Sequence, residues 1–339
     1  MQKYLLFIGI DISKLWIDVC PSCDGQKKDM PHRRFDNDVD GLQQVLRFLS
    51  GHAQRLRPGG KWLFCMEHTG VYGLPLCCFL QERQLDHALE NALQISRSLG
   101  IRRGKSDRAD AADIARYAYK NRAELRPHRL PGDRLLKIKH LLGLYGRLKK
   151  ARKLLGTSAK EIAAFTSPGL VGLVSQVSEA SVAHLDGQVK AVRKAILGLI
   201  EGTPELCRVY GLATSVKGVG PIIGASLLVW TNAFEGFETA RQFACYIGIA
   251  PFGHSSGTSV KQPDKVSNLA NKKLKALISN GALSAIRYGA DLKAYYAKKV
   301  KEGKSPFLVQ NNVKDKLVQR IFAVVKRGTP YVELGKHRA

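Results

Sequence analysis

The strongest constraint on the fold is the run Tyr-Leu-Leu-Phe-Ile-Gly-Ile over residues 4–10, which stops on Asp11. A strand with one wet face alternates apolar and polar residues. An unbroken apolar run fits a strand covered on both faces, at the centre of a sheet. Helices must then pack on that sheet, which commits the start of the chain to an α/β layer architecture. An acid at the end of such a strand stands at the sheet edge, where α/β folds gather ligands.

The residues that follow supply the rest of the sheet. Residues 15–20 and 33–35 read as strands joined through the polar turn at Asp24-Gly25, giving a three-stranded antiparallel meander with the first run. Leu42, Val45, Leu46 and Leu49 recur at helical spacing within residues 38–49. Pro58-Gly59-Gly60 breaks the chain, and residues 62–66 return to strand before Glu67. A helix over 71–83 and a short strand over 86–90 come next. The polar stretch Arg102-Arg103-Gly104-Lys105-Ser106 then leads into residues 107–119, rich in Ala and free of Gly and Pro, a helix with Ser or Asp at its start.

Beyond residue 133 the pattern changes. Leu135, Ile138, Leu141, Leu142, Leu144 and Leu148, then Val189, Val192, Ile196 and Ile200, are helically spaced, interrupted at Ser167-Pro168-Gly169. This predicts a helical hairpin or coiled-coil arm suited to oligomerisation, with a plain internal bundle as the alternative. A third, mostly helical unit begins near Ser215. The expected divisions are 1–125, 126–205 and 206–330, with an uninformative tail at 331–339.

Charge assigns different tasks to the two ends. The chain carries 54 Lys and Arg against 28 Asp and Glu, a formal net charge of +26, which favours a polyanionic partner. Residues 1–100 hold 12 basic and 11 acidic side chains, whereas residues 257–327 hold 16 and 4. The first segment can concentrate carboxylates around cations, and the last can hold nucleic acid. No apolar run approaches the roughly 18–20 residues of a membrane span, and the N-terminus does not read as a signal peptide. Of seven scattered cysteines, Cys20 and Cys23 alone have metal-like spacing, and no second half-site completes them. A reduced, cytoplasmic protein is expected.

Four acids stand out by context. Asp11 and Glu67 each close a strand, and Asp107 and Asp110, three apart, share one face of a helix. Carboxylates converging from strand ends and a helix start can hold Mg2+ or Mn2+ while leaving positions for water and phosphate oxygens. Taken singly, Asp11 could be a turn residue and Asp107 a helix cap. Asp113, another three residues on, is a reserve ligand.

The strings Ile8-Gly-Ile-Asp11-Ile-Ser-Lys14, Glu67-His-Thr-Gly-Val-Tyr72 and Lys105-Ser-Asp107-Arg-Ala-Asp110-Ala together resemble the DEDD transposases of minimal bacterial insertion sequences and the related Piv-type DNA invertases. The resemblance implies a RuvC-like first domain with an RNase H fold, a divalent metal, and metal-binding acids at Asp11, Glu67, Asp107 and Asp110. It spans roughly residues 5–120 and 210–290.

Two features of the last unit bear on its role. Gly218-Val219-Gly220 between two apolar helical patterns resembles a helix–hairpin–helix, a reader of the DNA backbone; a tight interhelical turn is the alternative. Lys217, Gly218, Gly220, Arg241, Lys261, Lys265, Lys272, Lys273 and Lys275 are the candidate nucleic-acid contacts. The string Gly248-Ile-Ala-Pro251-Phe-Gly-His254-Ser255-Ser256-Gly257-Thr258 would otherwise read as loop. By resemblance it carries a Pro…Ser-Gly motif whose nucleophilic serine, Ser256 with Ser255 as competitor, forms a 5′-phosphoserine link to DNA. No sequence signature supplies a base for that serine, so the carboxylate site is its expected activator.

The resemblance further implies donor and target double-stranded DNA as partners, a structured noncoding bridge RNA that pairs with both, and dimers assembling to a tetramer. No GxxxxGK[ST] loop is present, consistent with strand exchange that conserves phosphodiester energy. Two other classes fit the residues: a RuvC-like endonuclease without serine chemistry, and a non-enzymatic DNA-binding protein.

Overall fold

The apolar run becomes β1 (Tyr4–Ile12), the middle strand of a five-stranded sheet. On one side lie β2 (Trp16–Ser22) and β3 (Arg33–Asp36), both antiparallel to their neighbours. On the other lie β4 (Lys61–Glu67) and β5 (Asp86–Glu90), both parallel. The spatial order β3-β2-β1-β4-β5, with β2 reversed, is the RNase H-like arrangement expected of a RuvC-like domain. In the computed structural model, residues 4–26, 30–56, 60–100, 106–163, 165, 167–256 and 260–333 are described. They form two units, Met1–Leu130 and Pro131–Ala339.

Side chains alternate along a strand, and the alternation sorts the first unit into two layers. Leu6, Ile8, Ile10 and Ile12 of β1 join Phe64 and Met66 of β4 against Leu42, Val45 and Leu49 of α1 (Val39–Leu56) and Leu76, Phe79 and Leu80 of α2 (Leu74–Glu82). Phe7, Leu63 and Cys65 face the other way. They pack on Ile95 of α3 (Ala92–Ser98) and on Ile114, Tyr117 and Ala118 of α4 (Asp107–Lys120). The sequence predicts α2 from residue 71; the helix starts later because Gly70, at φ +70°, turns the chain first.

The second unit opens with two long helices, α5 (Asp133–Ala163) and α6 (Pro168–Glu201). Pro168 starts α6, where proline's missing N–H costs nothing. Part of this helical pair packs into a bundle. Leu135, Ile138, Val192, Ile196 and Ile200 are buried with Leu206 and Val209 of α7 (Pro204–Ser215) and Leu228 and Val229 of α8 (Pro221–Trp230). Farther out, Leu154, Leu173 and Val177 are exposed at 74%, 60% and 68%.

A second core joins α9 (Ala240–Tyr246), α10 (Lys272–Tyr288) and α12 (Pro306–Arg327) through Phe243, Ile247, Leu274, Ile278, Leu317, Val318 and Ile321. Helix α11 (Ala290–Lys301) packs on it through Leu292. The segment expected as loop contains an antiparallel hairpin, β6 (Pro251–Ser256) and β7 (Val260–Val266). No helix among the described residues is long and apolar enough to cross a membrane.

Candidate active site

The carboxylates converge because α4 lies directly on β1. A Cβ on Gly9 would stand 2.1 Å from the Ala111 carbonyl oxygen and 2.3 Å from the Ala115 nitrogen, so only glycine admits this approach. Ala111 and Ala115, both fully buried, keep the helix side of the contact equally thin. Asp11 lies two residues beyond Gly9 and therefore shares its α4-facing side. Asp110 immediately precedes Ala111, which sets it over the end of the same strand. Ser106 caps α4, its hydroxyl accepting from the Ala109 N–H, so Asp107 and Asp110 occupy the helix's first turn. The positive end of the helix dipole favours negative charge there.

Glu67 joins by the same alternation. It follows Leu63 and Cys65 at two-residue steps on β4, and Ile10 pairs with Met66, so Asp11 and Glu67 end neighbouring strands on one face. Burial raises the Asp11 pKa to about 6, and Asp110, Asp107, Glu67 and Asp18 push the same way. Desolvation and crowded like charges both penalise the ionised form, so this face would be relieved by a cation. Asp113 is buried at 3% exposure, a turn farther along α4.

Two features around this face escaped the sequence. Asp18, opposite Asp11 in the β1–β2 register, is 1% exposed. Its carboxylate lies 2.6 Å from His32 Nε2 and accepts from Arg34 Nε at 3.1 Å. Arg34 also donates through Nη2 to Asp107 at 2.6 Å, tying α4 to the meander. On the far side, Glu90 pairs with Glu67 across β4 and β5 and accepts from the Tyr117 hydroxyl at 3.1 Å. Burial raises the Glu90 pKa against that hydrogen bond. The available signal was an acid at mid-strand in Trp-Ile-Asp18, but its partners depend on the β2–β3 register.

All these donors are hard oxygens, the chemistry that suits Mg2+ or Mn2+. Among the described residues, no three Asp, Glu, His or Cys side chains are grouped tightly enough to hold an ion as they stand. Asp11, Glu67, Asp107 and Asp110 are the oxygen donors of this face that could hold one, and Arg34 already engages Asp107. None of the seven cysteines forms a disulfide, and Cys20 is buried against Met30.

In the second unit Ser256 is the last residue of β6 and pairs with Val260 across the hairpin; Ser255 pairs with Lys261. Gly257 and Thr258, the rest of the motif, lie outside the described residues. Arg241 donates to the Pro251 carbonyl at 3.1 Å, bracing the hairpin's first residue against α9. Lys275 donates to the Gly248 carbonyl at 2.7 Å, a structural bond at the same root.

A short connection carrying Gly218-Val219-Gly220 joins helices α7 and α8, and its two glycines do different things. Gly218, at φ +99°, packs on α10, where a Cβ would come within 2.4 Å of the Gly281 carbonyl oxygen. Gly220 caps α8, and a Cβ there would meet nothing within 4 Å. The backbone is thus open at Gly220. Lys217, Lys265, Lys272 and Lys273 are exposed around this unit.

Comparison with known proteins bears on both units. A model of the IS110-type DEDD transposase domain, described as "Transposase", matches residues 8–162. The model described as "Transposase IS116/IS110/IS902 family" matches residues 210–297. The pilin gene-inverting protein of Moraxella bovis is 26% identical over 330 residues, covering 96% of this chain and 97% of that protein. A putative transposase, y4rJ, of Sinorhizobium fredii is 23% identical over 328 residues, covering 84% of this chain and 81% of that one. RuvC of T. thermophilus, solved with a Holliday junction substrate, aligns with 37% of this chain and all of its own, at 11% identity and a TM-score of 0.27.

A domain matching the DEDD transposase model, followed by a helical domain matching a second transposase model, defines an enzyme that acts on DNA, of the transposase and DNA-invertase class. Within that class, the chain belongs to the IS116/IS110/IS902 transposase family.

Proposed function

We propose that the protein exchanges DNA strands through a serine-linked intermediate, with the carboxylate face of the first unit supplying the metal ligands and Ser256 of the second the nucleophile. The observation that carries the reading is the crowding of Asp110, Asp107 and Glu67 around a half-buried Asp11, whose pKa rises to about 6. Four acids gathered at that energetic cost are typical of a functional site. Asp11, Glu67, Asp107 and Asp110 would hold the divalent ion. When bound, it would polarise the scissile phosphate and stabilise charge on the attacking and leaving oxygens.

The residues of the chain supply the remaining steps. Ser256 Oγ forms a bond to phosphorus as the bond to the DNA 3′-oxygen breaks, and the serine proton ends on that 3′-hydroxyl. The DNA 5′-phosphate is then held as a serine ester. Attack by a 3′-hydroxyl of the partner DNA reverses these changes and frees the serine. One phosphodiester is made for each one broken, so no nucleotide hydrolysis is needed.

The exposed apolar residues along α5 and α6, Leu154, Leu173 and Val177, support self-association through the arm, on the tetramer reading. Guidance by a bridge RNA is supported by the basic surplus alone, which can track phosphates without reading bases.

Ser256→Ala tests the reading against a plain endonuclease. With Mg2+ and DNA spanning the insertion-sequence junctions, the variant is expected to lose strand joining and cleavage together. Continued cleavage by hydrolysis would instead assign the enzyme to the nuclease class.

A further inference from the structure

Among the described residues of the second unit, Lys314 is the only charged side chain that is buried, at 9% exposure. Its stem lies in α12 behind the core residues Val313, Leu317 and Val318. No hydrogen bond or ion pair joins its ammonium to any described residue, and the tip is not sealed from solvent. Burying an unpaired ammonium is costly, and such groups normally find a carboxylate or an acceptor. Burial lowers the Lys314 pKa, and Lys275, a charge of the same sign, lowers it further.

The surroundings show where this cation points its chemistry. Asn311, three residues earlier on α12 and so on the same face, donates to the Ile249 carbonyl at 2.8 Å. Lys275, from α10, donates to the adjacent Gly248 carbonyl at 2.7 Å. Gly248 sits at φ +69° with no room for a Cβ, which would stand 2.5 Å from that of Ala270. Ile249 and Ala250 are fully buried. The strand bearing Ser256 is therefore rooted in a rigid backbone segment gripped from two helices. Beside that root the Lys275 ammonium meets a carbonyl oxygen, and among the described residues no carboxylate pairs with either lysine.

We propose that Lys314, together with Lys275, seats a backbone phosphate of bound nucleic acid at the root of the β6–β7 hairpin. This rests on the reading of the second unit as the half that holds nucleic acid. A phosphate supplies the missing acceptor for Lys314, relieves its repulsion from Lys275, and fixes the nucleic-acid strand relative to the hairpin. Lys314 lies beyond the family-model match at residues 210–297, whereas Lys275 lies within it.

Lys314→Met keeps the stem and removes the charge. Affinity of the full-length protein for a labelled random-sequence DNA duplex, and separately for a labelled single-stranded RNA, is measured across a salt series. The expected result is a salt slope reduced by about one counterion-equivalent on at least one of the two probes. The thermal midpoint of the free protein should be unchanged or raised, because an unpaired buried charge is gone. Lys314→Arg should retain the wild-type slope, and Lys314→Gln reads the same loss if the methionine variant folds poorly. An unchanged slope on both probes, whatever the midpoint does, overturns the proposal. Failure of the wild type to bind either probe would instead remove the nucleic-acid reading of the whole unit.

Discussion

At the scale of single residues, Asp11 ties structure to chemistry. Folding lifts its pKa from 3.8 to about 6, so the folded chain binds that proton more tightly than the unfolded chain does. The resulting stability is fully present below the unfolded value and is lost as pH rises through about 6. In the absence of divalent ion, the thermal midpoint should therefore fall across that window. Asp11→Asn should flatten the fall and abolish DNA cleavage; calorimetry across the pH range, with a cleavage assay alongside, checks both. Gly9→Ala is the steric counterpart. Its Cβ would overlap the Ala111 carbonyl at 2.1 Å, so α4 must lift from β1. Overpacking against backbone is expected to cost about 3 kcal/mol in denaturant titration, with a loss of cleavage as Asp107 and Asp110 shift.

Much of this was legible residue by residue. An unbroken apolar run ending in Asp11, and two acids spaced by three at a helix start, are local patterns, and local patterns survive folding. Asp18, Arg34 and Glu90 were not legible. Asp18 meets Arg34 and His32 through the β2–β3 register, and Glu90 meets Tyr117 through the docking of α4. Those pairings are set by tertiary geometry that no spacing rule contains.

At the scale of elements, the long helices are the clearest case of pattern becoming structure. Ile196 is fully buried where α6 meets α7 and α8, so Ile196→Ala should cost about 3 kcal/mol in chemical denaturation. Arg152→Ala, which removes an exposed pair with Asp186, should leave stability unchanged in the same titration. Val177→Lys, on the exposed outer stretch of α6, should reduce self-association in sedimentation experiments without lowering the thermal midpoint. The β6–β7 hairpin shows the opposite lesson. Pro251, Gly253 and a run of polar residues read as loop, because its strands are defined by pairing with each other and not by an apolar alternation.

At the scale of the whole molecule, the uneven charge has its counterpart in the two units. The near-neutral N-terminal segment contains the carboxylate face, and the basic C-terminal segment contains the serine hairpin and the lysines of α10 and α12. On the proposed reading neither half performs strand exchange by itself: the acids provide no nucleophile, and no Ser–His–Asp signature supplies a base for the serine. The central claim is that they act together on one phosphate. Its most direct measurement is the covalent adduct. Protein incubated with Mg2+ and junction-spanning DNA is denatured, digested and mapped by mass spectrometry. A phosphodiester-linked nucleotide on Ser256, absent in both Ser256→Ala and Asp11→Asn, is the predicted result. Cleaved DNA with a free 5′-phosphate and no adduct on any serine would contradict it.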